Sequence, residues 1–232
     1  MSKVIEICCF SIHSVINAQK YNVKRIELCD NIYENGTTPS IGMIKKAREI
    51  FKNNLNVIVR PRGGNFVYSD EEFKIIKEDI KYLKDLKVNG IVVGILKKDN
   101  EVDIVRMREI VNLAKPLSIT FHKAFDITKD PYRSLENLIS LNVDRILTSG
   151  QSKTALQGAK LISELIIRAN NRIIIMPGGN INANNLIEIL KITNANEFHS
   201  SAKSLIKNKT DNSSFYIADL SKISKMQEIL KI

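Results

Sequence analysis

The sequence has no tryptophan, 6% aromatic residues, and only three cysteines among 232 residues. An odd count, with Cys8, Cys9 and Cys29 crowded toward one end, excludes a disulfide framework and fits reduced thiols. No apolar run approaches the roughly 18–20 residues that span a bilayer, so no membrane partner is expected. The stretch from Met1 to Phe10 carries Glu6 inside its apolar segment. That is wrong for a secretory signal, and a cytoplasmic location is expected. The shortage of aromatics also bears on the formal charge of +10, from 35 Lys plus Arg against 25 Asp plus Glu. Lysines are scattered or in short pairs such as Lys45-Lys46 and Lys97-Lys98, with no basic stripe interleaved with rings. The charge reads as a solvated surface, and no nucleic-acid partner is expected.

What is present is a hydrophobic fraction of 44%, enough for a sizeable core. Short β-branched runs alternate with helical patterns at a spacing of about 30 residues, the size of a βα unit. The strands read from the sequence are Val4–Cys9, Arg25–Cys29, Val57–Arg60, Gly90–Leu96, Leu117–His122, Asp144–Thr148, Arg172–Met176 and Glu197–Ser200. Ser11, Ser40, Asp103, Asp130 before Pro131, Ser152, Asn182 and Asp219 or Ser221 can open the intervening helices, and Ser69 with Glu72 forms a capping box. Phe73, Ile76, Ile80 and Leu83 lie on one face of the third helix. The Lys- and Asn-rich residues from about 203 to 216 read as a long loop.

Eight such units permit an open doubly wound sheet or a closed barrel. Open sheets bury both faces, so their strands are near-continuously apolar. These strands instead alternate: Ile5 and Ile7 oppose Glu6, Ile26 and Leu28 oppose Glu27, Ile119 and Phe121 oppose Thr120 and His122, and Phe198 opposes Glu197 and His199. The apolar face packs on helices, so the polar face points into a lumen. The expected fold is α/β, a single (β/α)8 TIM barrel over residues 1–232.

Active sites in such barrels gather at the carboxyl ends of the strands. Residues reaching that end are Glu6, Cys8, Glu27, Cys29, Arg60, Arg62, His122, Lys123, Asp126, Ser149, His199, Ser200 and Ser201. Glu6 and Glu27 balance Arg60 and Arg62 in charge, and Arg60 with Arg62 suits a carboxylate or phosphate held bidentately. Asp126 can orient His122 as a general base, with Glu27 a second candidate for proton transfer. Lys123 could be a Schiff-base lysine, but strand alternation turns it away from the lumen. Gly178, Gly179 and Asn180 after strand seven, with Ser200 and Ser201 after strand eight, suit a small anion, although a glycine pair also serves a tight turn. Cys8 and Cys29 stand near the tops of neighbouring strands, where two thiolates could hold Cu(I), or simply fill space. Cys9 should face the helices.

At these residues the sequence resembles the CutC family, associated with copper homeostasis. The match runs in order through Glu6-Ile7-Cys8, Arg25-Ile26-Glu27-Leu28-Cys29, Gly36-Thr37-Thr38-Pro39-Ser40, and Ile58-Val59-Arg60-Pro61-Arg62-Gly63-Gly64. It continues through Tyr68-Ser69-Asp70, Thr120-Phe121-His122-Lys123-Ala124-Phe125-Asp126, Arg145-Ile146-Leu147-Thr148-Ser149-Gly150, Met176-Pro177-Gly178-Gly179 and Phe198-His199-Ser200-Ser201-Ala202. The resemblance implies a (β/α)8 barrel, a cytoplasmic location, a homodimer or homotetramer, and Cu(I) ligation at Cys8 and Cys29. The sequence departs from the family's habit in having Lys123 for Arg, Asn65 for Asp, and a shorter segment after Ala202.

Two readings stand. One is a copper-handling barrel. The other is an isomerase- or lyase-type enzyme acting on a small phosphorylated or carboxylated metabolite. A catalytic divalent metal on Glu6, Glu27, His122 and His199 is a third, opposed by the nearby arginines.

Overall fold

The computed structural model describes residues 3–207 and 213–231. Among these, eight parallel strands form one sheet: β1 (Val4–Cys9), β2 (Arg25–Leu28), β3 (Asn54–Ile58), β4 (Gly90–Val93), β5 (Ser118–Phe121), β6 (Arg145–Thr148), β7 (Ile174–Pro177) and β8 (Glu197–Ser200). Their order is β7-β6-β5-β4-β3-β2-β1-β8. A single parallel bridge between Gly178 and His199 joins the ends, so the sheet curls into the expected (β/α)8 barrel. The outer ring is α1 (Ile12–Lys20), α2 (Ile41–Ile50), α3 (Asp70–Asp85), α4 (Ile104–Ala114), α5 (Pro131–Ser140), α6 (Ala159–Ala169), α7 (Leu186–Thr193) and α8 (Leu220–Ile229).

Local chemistry sets most helix starts. Ser11, Ser40, Asp103, Asp130 and Asp219 each accept a backbone N–H of the first turn, and Ser69 with Glu72 makes the full capping box. Phe73, Ile76, Ile80 and Leu83 are the buried face of α3, each worth about 1.5–3 kcal/mol when removed from water. Asparagine supplies most of the non-glycine positions with positive φ, among them Asn22, Asn142, Asn170 and Asn194 after helices. Its short side chain tolerates that region, which gives the asparagine-rich composition a structural use.

Several boundaries differ from the sequence reading. β3 lies earlier and ends at Ile58, because Arg60 turns to the preceding loop, its carbonyl accepting from the Thr38 N–H and its N–H donating to the Thr38 hydroxyl, rather than continuing the ladder. Ser152 does not open α6, which starts at Ala159 after a set of turns. Asn182 caps a turn leading into α7 through its bond to the Asn184 N–H, and α7 itself starts at Leu186. The segment read as a loop contains an antiparallel hairpin, β9 (Lys203–Lys207) with β10 (Ser214–Ala218); residues 208–212 of that reading lie outside the described residues. β10 docks on α1: the Ala218 N–H donates to Ser14 Oγ, and its carbonyl accepts from Asn17.

Two separate apolar clusters show the alternation at work. The large one lies between strands and helices and includes Cys9. The small one is inside the lumen: Cys8, Cys29, Ile58 and Val92, covered by Phe10. No helix among the described residues is long and apolar enough to cross a membrane.

Candidate functional site

The strand register determines which polar groups meet. Glu6 is level with Arg25 on one side and His199 on the other, and Cys8 is level with Glu27. Arg25 Nε lies 2.5 Å from Glu6 Oε2, and its Nη2 lies 2.6 Å from Glu197 Oε2. Arg145 Nε reaches the same Glu197 oxygen at 2.6 Å. His199 Nδ1 lies 2.8 Å from Glu6 Oε1, and its Nε2 lies 3.5 Å from Glu27 Oε2. Asn56 donates to Glu6 at 3.3 Å. The lumen therefore carries one continuous network from Arg145 to Glu27.

Above it, Cys8 Sγ and Cys29 Sγ are 3.5 Å apart. Cys8 Sγ, a Glu27 carboxylate oxygen and a His199 ring nitrogen all lie within 4.8 Å of one another. The bond from Cys29, against the effect of burial and helped by His199, pulls the Cys8 pKa down to about 6. Burial pushes the Cys29 thiol up, and the bond it makes to Cys8 pushes it further. Burial also raises Glu27, so this carboxyl holds its proton above the usual range. His199 is pushed well up against burial, by its bonds to Cys8 and Glu6 and the nearby Glu27. Glu6 goes the other way: burial would raise it, but the Arg25 charge and the His199 bond hold it far below the usual carboxylate range. These shifts favour a Cys8 thiolate beside a His199 imidazolium, with the Cys29 S–H as donor between the two sulfurs.

The structure corrects the partners assigned to the arginines. Arg60 and Arg62 do not balance Glu6 and Glu27; Arg25 and Arg145 do the work of neutralising lumen carboxylates. Arg62 pairs with Glu72 and with carbonyls of its own loop. Arg60 spends both Nη groups on the carbonyls of Glu34, Gly36 and Gly64, which leaves no bidentate fork for a ligand. The sequence signal for Arg25 was its position two residues before Glu27, on the same face. Arg145 had the weaker signal, since its alternation partner on the inward face is Leu147.

His122 and Asp126 are not a pair either. Asp126 accepts from the Thr148 hydroxyl and from the Ser149 and Gln151 N–H groups, with the Ser149 hydroxyl 2.8 Å away. It anchors the β6–α6 loop. His122 Nδ1 instead accepts from the Ala124 N–H at 3.1 Å. Lys123, expected to face away, lies at the mouth because β5 ends at Phe121 and a short 3₁₀ turn over Lys123–Ile127 reverses its direction. Its Nζ is 3.8 Å from Asp126 Oδ2.

Of the expected anion cradle, the Ser200 side chain and the Asn180 carbonyl are engaged within the protein. Ser200 is buried, donating to the Ile181 carbonyl and accepting from the Ala202 N–H. Ser201 is half-buried beyond the strand end. The Asn180 carbonyl accepts from Asn182 and Asn185. Gly178 is demanded by barrel closure: a Cβ there would lie 2.4 Å from Leu147 Cδ1 and 3.2 Å from His199 Cβ. Gly179 has φ +118, where side chains are disfavoured. Overpacking of this kind costs about 1–3 kcal/mol. Gly178→Ala should lower the thermal midpoint accordingly, and an unchanged midpoint would mean the β7–β8 seam can relax around a methyl group.

Residues 3–204 match the model of the CutC family. A CutC family protein of Parabacteroides distasonis is 48% identical over 91% of this chain and 87% of its own length. The human copper homeostasis protein cutC homolog is 42% identical over 87% of this chain and 74% of its own. The crystal structure of CutC from Streptococcus agalactiae superposes with a TM-score of 0.82 at 35% identity, covering 86% of this chain and 98% of that one.

Proposed function

Since this chain belongs to the CutC family, we propose that it handles copper, holding Cu(I) between Cys8 and Cys29 with His199 as the third donor. The observation that carries the reading is the sulfur pair, 3.5 Å apart with one thiol already inclined to ionise. Soft sulfur favours Cu(I), and imidazole suits copper as well. Arg25 and Arg145 already offset Glu6 and Glu197, while the Cys8 thiolate and His199 imidazolium cancel each other. Cu(I) would displace the protons of Cys29 and His199, so binding releases protons.

A hard divalent ion fits poorly. It prefers several oxygen ligands, and Glu6 is committed to Arg25 and His199. His122 lies against Phe66 and Phe121, away from that set. A cytoplasmic setting follows from the same reading, because thiols stay reduced there.

The test is competition for Cu(I) against a chelator of known affinity, at fixed pH under anaerobic conditions. One Cu(I) per chain is expected. Outer partners of a metal site already contribute about 10–100-fold in affinity, so Cys8→Ser and Cys29→Ser should each weaken binding by at least the upper end of that range. Parent-like affinity in both variants would overturn the reading.

A further inference from the structure

Three buried side-chain polar atoms have no hydrogen-bond partner among the described residues: Arg60 Nε, Tyr68 Oη and His122 Nε2. Native proteins leave few such groups unpaired, and these three share one neighbourhood. The Arg60 guanidinium carbon sits 4.9 Å from the Phe66 ring centroid, and the His122 ring centroid is 4.8 Å from the same ring. Tyr68 and His122 both feel the Arg60 charge, and the Tyr68 hydroxyl lies beside the Arg60 guanidinium in a contact looser than a full hydrogen bond. All three are nearly closed off from solvent, at 4%, 5% and 4% exposure for Arg60, Tyr68 and His122.

Each of the three presents a hydrogen-bond donor. Arg60 has spent its Nη groups on carbonyls, which leaves the Nε–H. His122 Nδ1 accepts from the Ala124 N–H, so the neutral ring carries its proton on Nε2. Burial, with the Arg60 charge, keeps that ring neutral, its pKa pushed down to about 3. Burial likewise raises Tyr68 and keeps its hydroxyl protonated.

The charge is as telling as the geometry. Arg60 forms no ion pair among the described residues, and a buried cation without a counter-charge is costly. No loop carboxylate forms an ion pair with Arg60 among the described residues: Glu72 pairs with Arg62, while Glu34 accepts from the Gly64 N–H and Asp126 from Thr148 and Ser149. One positive charge without an ion-pair partner and three neighbouring donors match a group with one negative charge and two acceptor oxygens. A phosphate dianion would reverse the imbalance instead of cancelling it.

We propose that Arg60, Tyr68 and His122 form a receptor for the carboxylate of a small organic monoanion, with Phe66 as its apolar cover. The site shares no residue with the sulfur pair and stands or falls separately from copper binding. It also differs from the two-arginine clamp suggested by the sequence, since Arg62 takes no part.

The test uses the full chain, titrated with acetate and with pyruvate, with chloride as the ionic-strength control and inorganic phosphate as the dianion. Thermal stability and the ring-nitrogen NMR signals of the histidines, of which the chain has three, are followed together. At least one carboxylate should give a saturable stabilisation beyond chloride and phosphate, with a shift of the His122 Nε2–H signal. Loss of one hydrogen bond to a charged group corresponds to about tenfold or more in affinity, so Tyr68→Phe and His122→Phe should each weaken the response by that factor. The conservative Tyr68→Phe keeps the test valid if His122→Phe fails to fold, and the His122 signal is read on the parent. The proposal is overturned if neither carboxylate gives a saturable response with a moving His122 signal. It is equally overturned if chloride or phosphate does as well, or if Tyr68→Phe binds like the parent.

Discussion

Glu6→Ala should cost about 3–5 kcal/mol of folding stability, a large part of the roughly 5–15 kcal/mol that holds a domain together. The side chain is fully buried and supports three groups: Arg25 at 2.5 Å, His199 at 2.8 Å and Asn56 at 3.3 Å. Removing it leaves Arg25 and Arg145 to share the single Glu197 carboxylate, one positive charge too many in the lumen, which costs more than the intact network contributes. Denaturant unfolding at neutral pH measures the loss. The pH dependence supplies a second reading. Glu6 is held far below its ordinary value of 4.5, so its contribution is complete above that value and is lost as the pH falls below it. The acid slope of stability should therefore shrink in the variant. Glu27 works in the opposite sense: burial raises it, so it favours the fold at low pH and loses that contribution as pH rises. A Glu6→Ala protein with parent stability and an unchanged acid slope would show that the lumen solvates the excess charge.

The second large effect concerns Cys8. Its thiol should titrate near pH 6 in the parent, some 3 units below the reference value of 9.0. Cys29→Ala removes the first cause, the S–H bond that steadies the thiolate, and should move the titration back toward the reference value. His199→Gln removes the imidazolium and should move it in the same direction. Thiolate absorbance in the ultraviolet follows this without requiring a reagent to enter the barrel. Around pH 6 the folded chain gives up the Cys8 proton while the unfolded chain gives up the His199 proton instead, so the two nearly cancel and stability should respond weakly over this interval even while the absorbance changes. A Cys8 thiol that titrates at the reference value in the parent would remove the thiolate–imidazolium pair and weaken the case for copper.

The fold was legible because one period carries it. Alternation in Ile5-Glu6-Ile7 and Ile26-Glu27-Leu28 assigns each side chain to lumen or helix layer, and only a closed barrel gives a polar inward face. That logic also separated Cys8 and Cys29 from Cys9. It was less informative where the inward face is apolar, as at Ile58, Val92 and Met176, and it missed the β9–β10 hairpin because Lys and Asn masked the short Leu205-Ile206 and Phe215-Tyr216-Ile217 runs. Of the site, the sulfur pair and its glutamates could be located from sequence. Their partners could not. Arg60 and Arg62 were the prominent arginines in sequence because they flank Pro61 before two glycines, yet that same loop consumes them. Arg25 and Arg145 looked ordinary and carry the lumen's positive charge.

Composition, capping residues and period-two alternation were enough by themselves to locate the eight barrel strands, most helix starts, the barrel and the face of most strand residues, because those are local properties of a chain in water. The stagger between strands was decided only in three dimensions. It sets Glu6 level with Arg25 and His199, brings Cys8 within reach of Cys29, and leaves Arg60 Nε, Tyr68 Oη and His122 Nε2 without partners in one neighbourhood. Pairing across a lumen depends on the height and rotation of every strand at once, and no spacing along one strand encodes that.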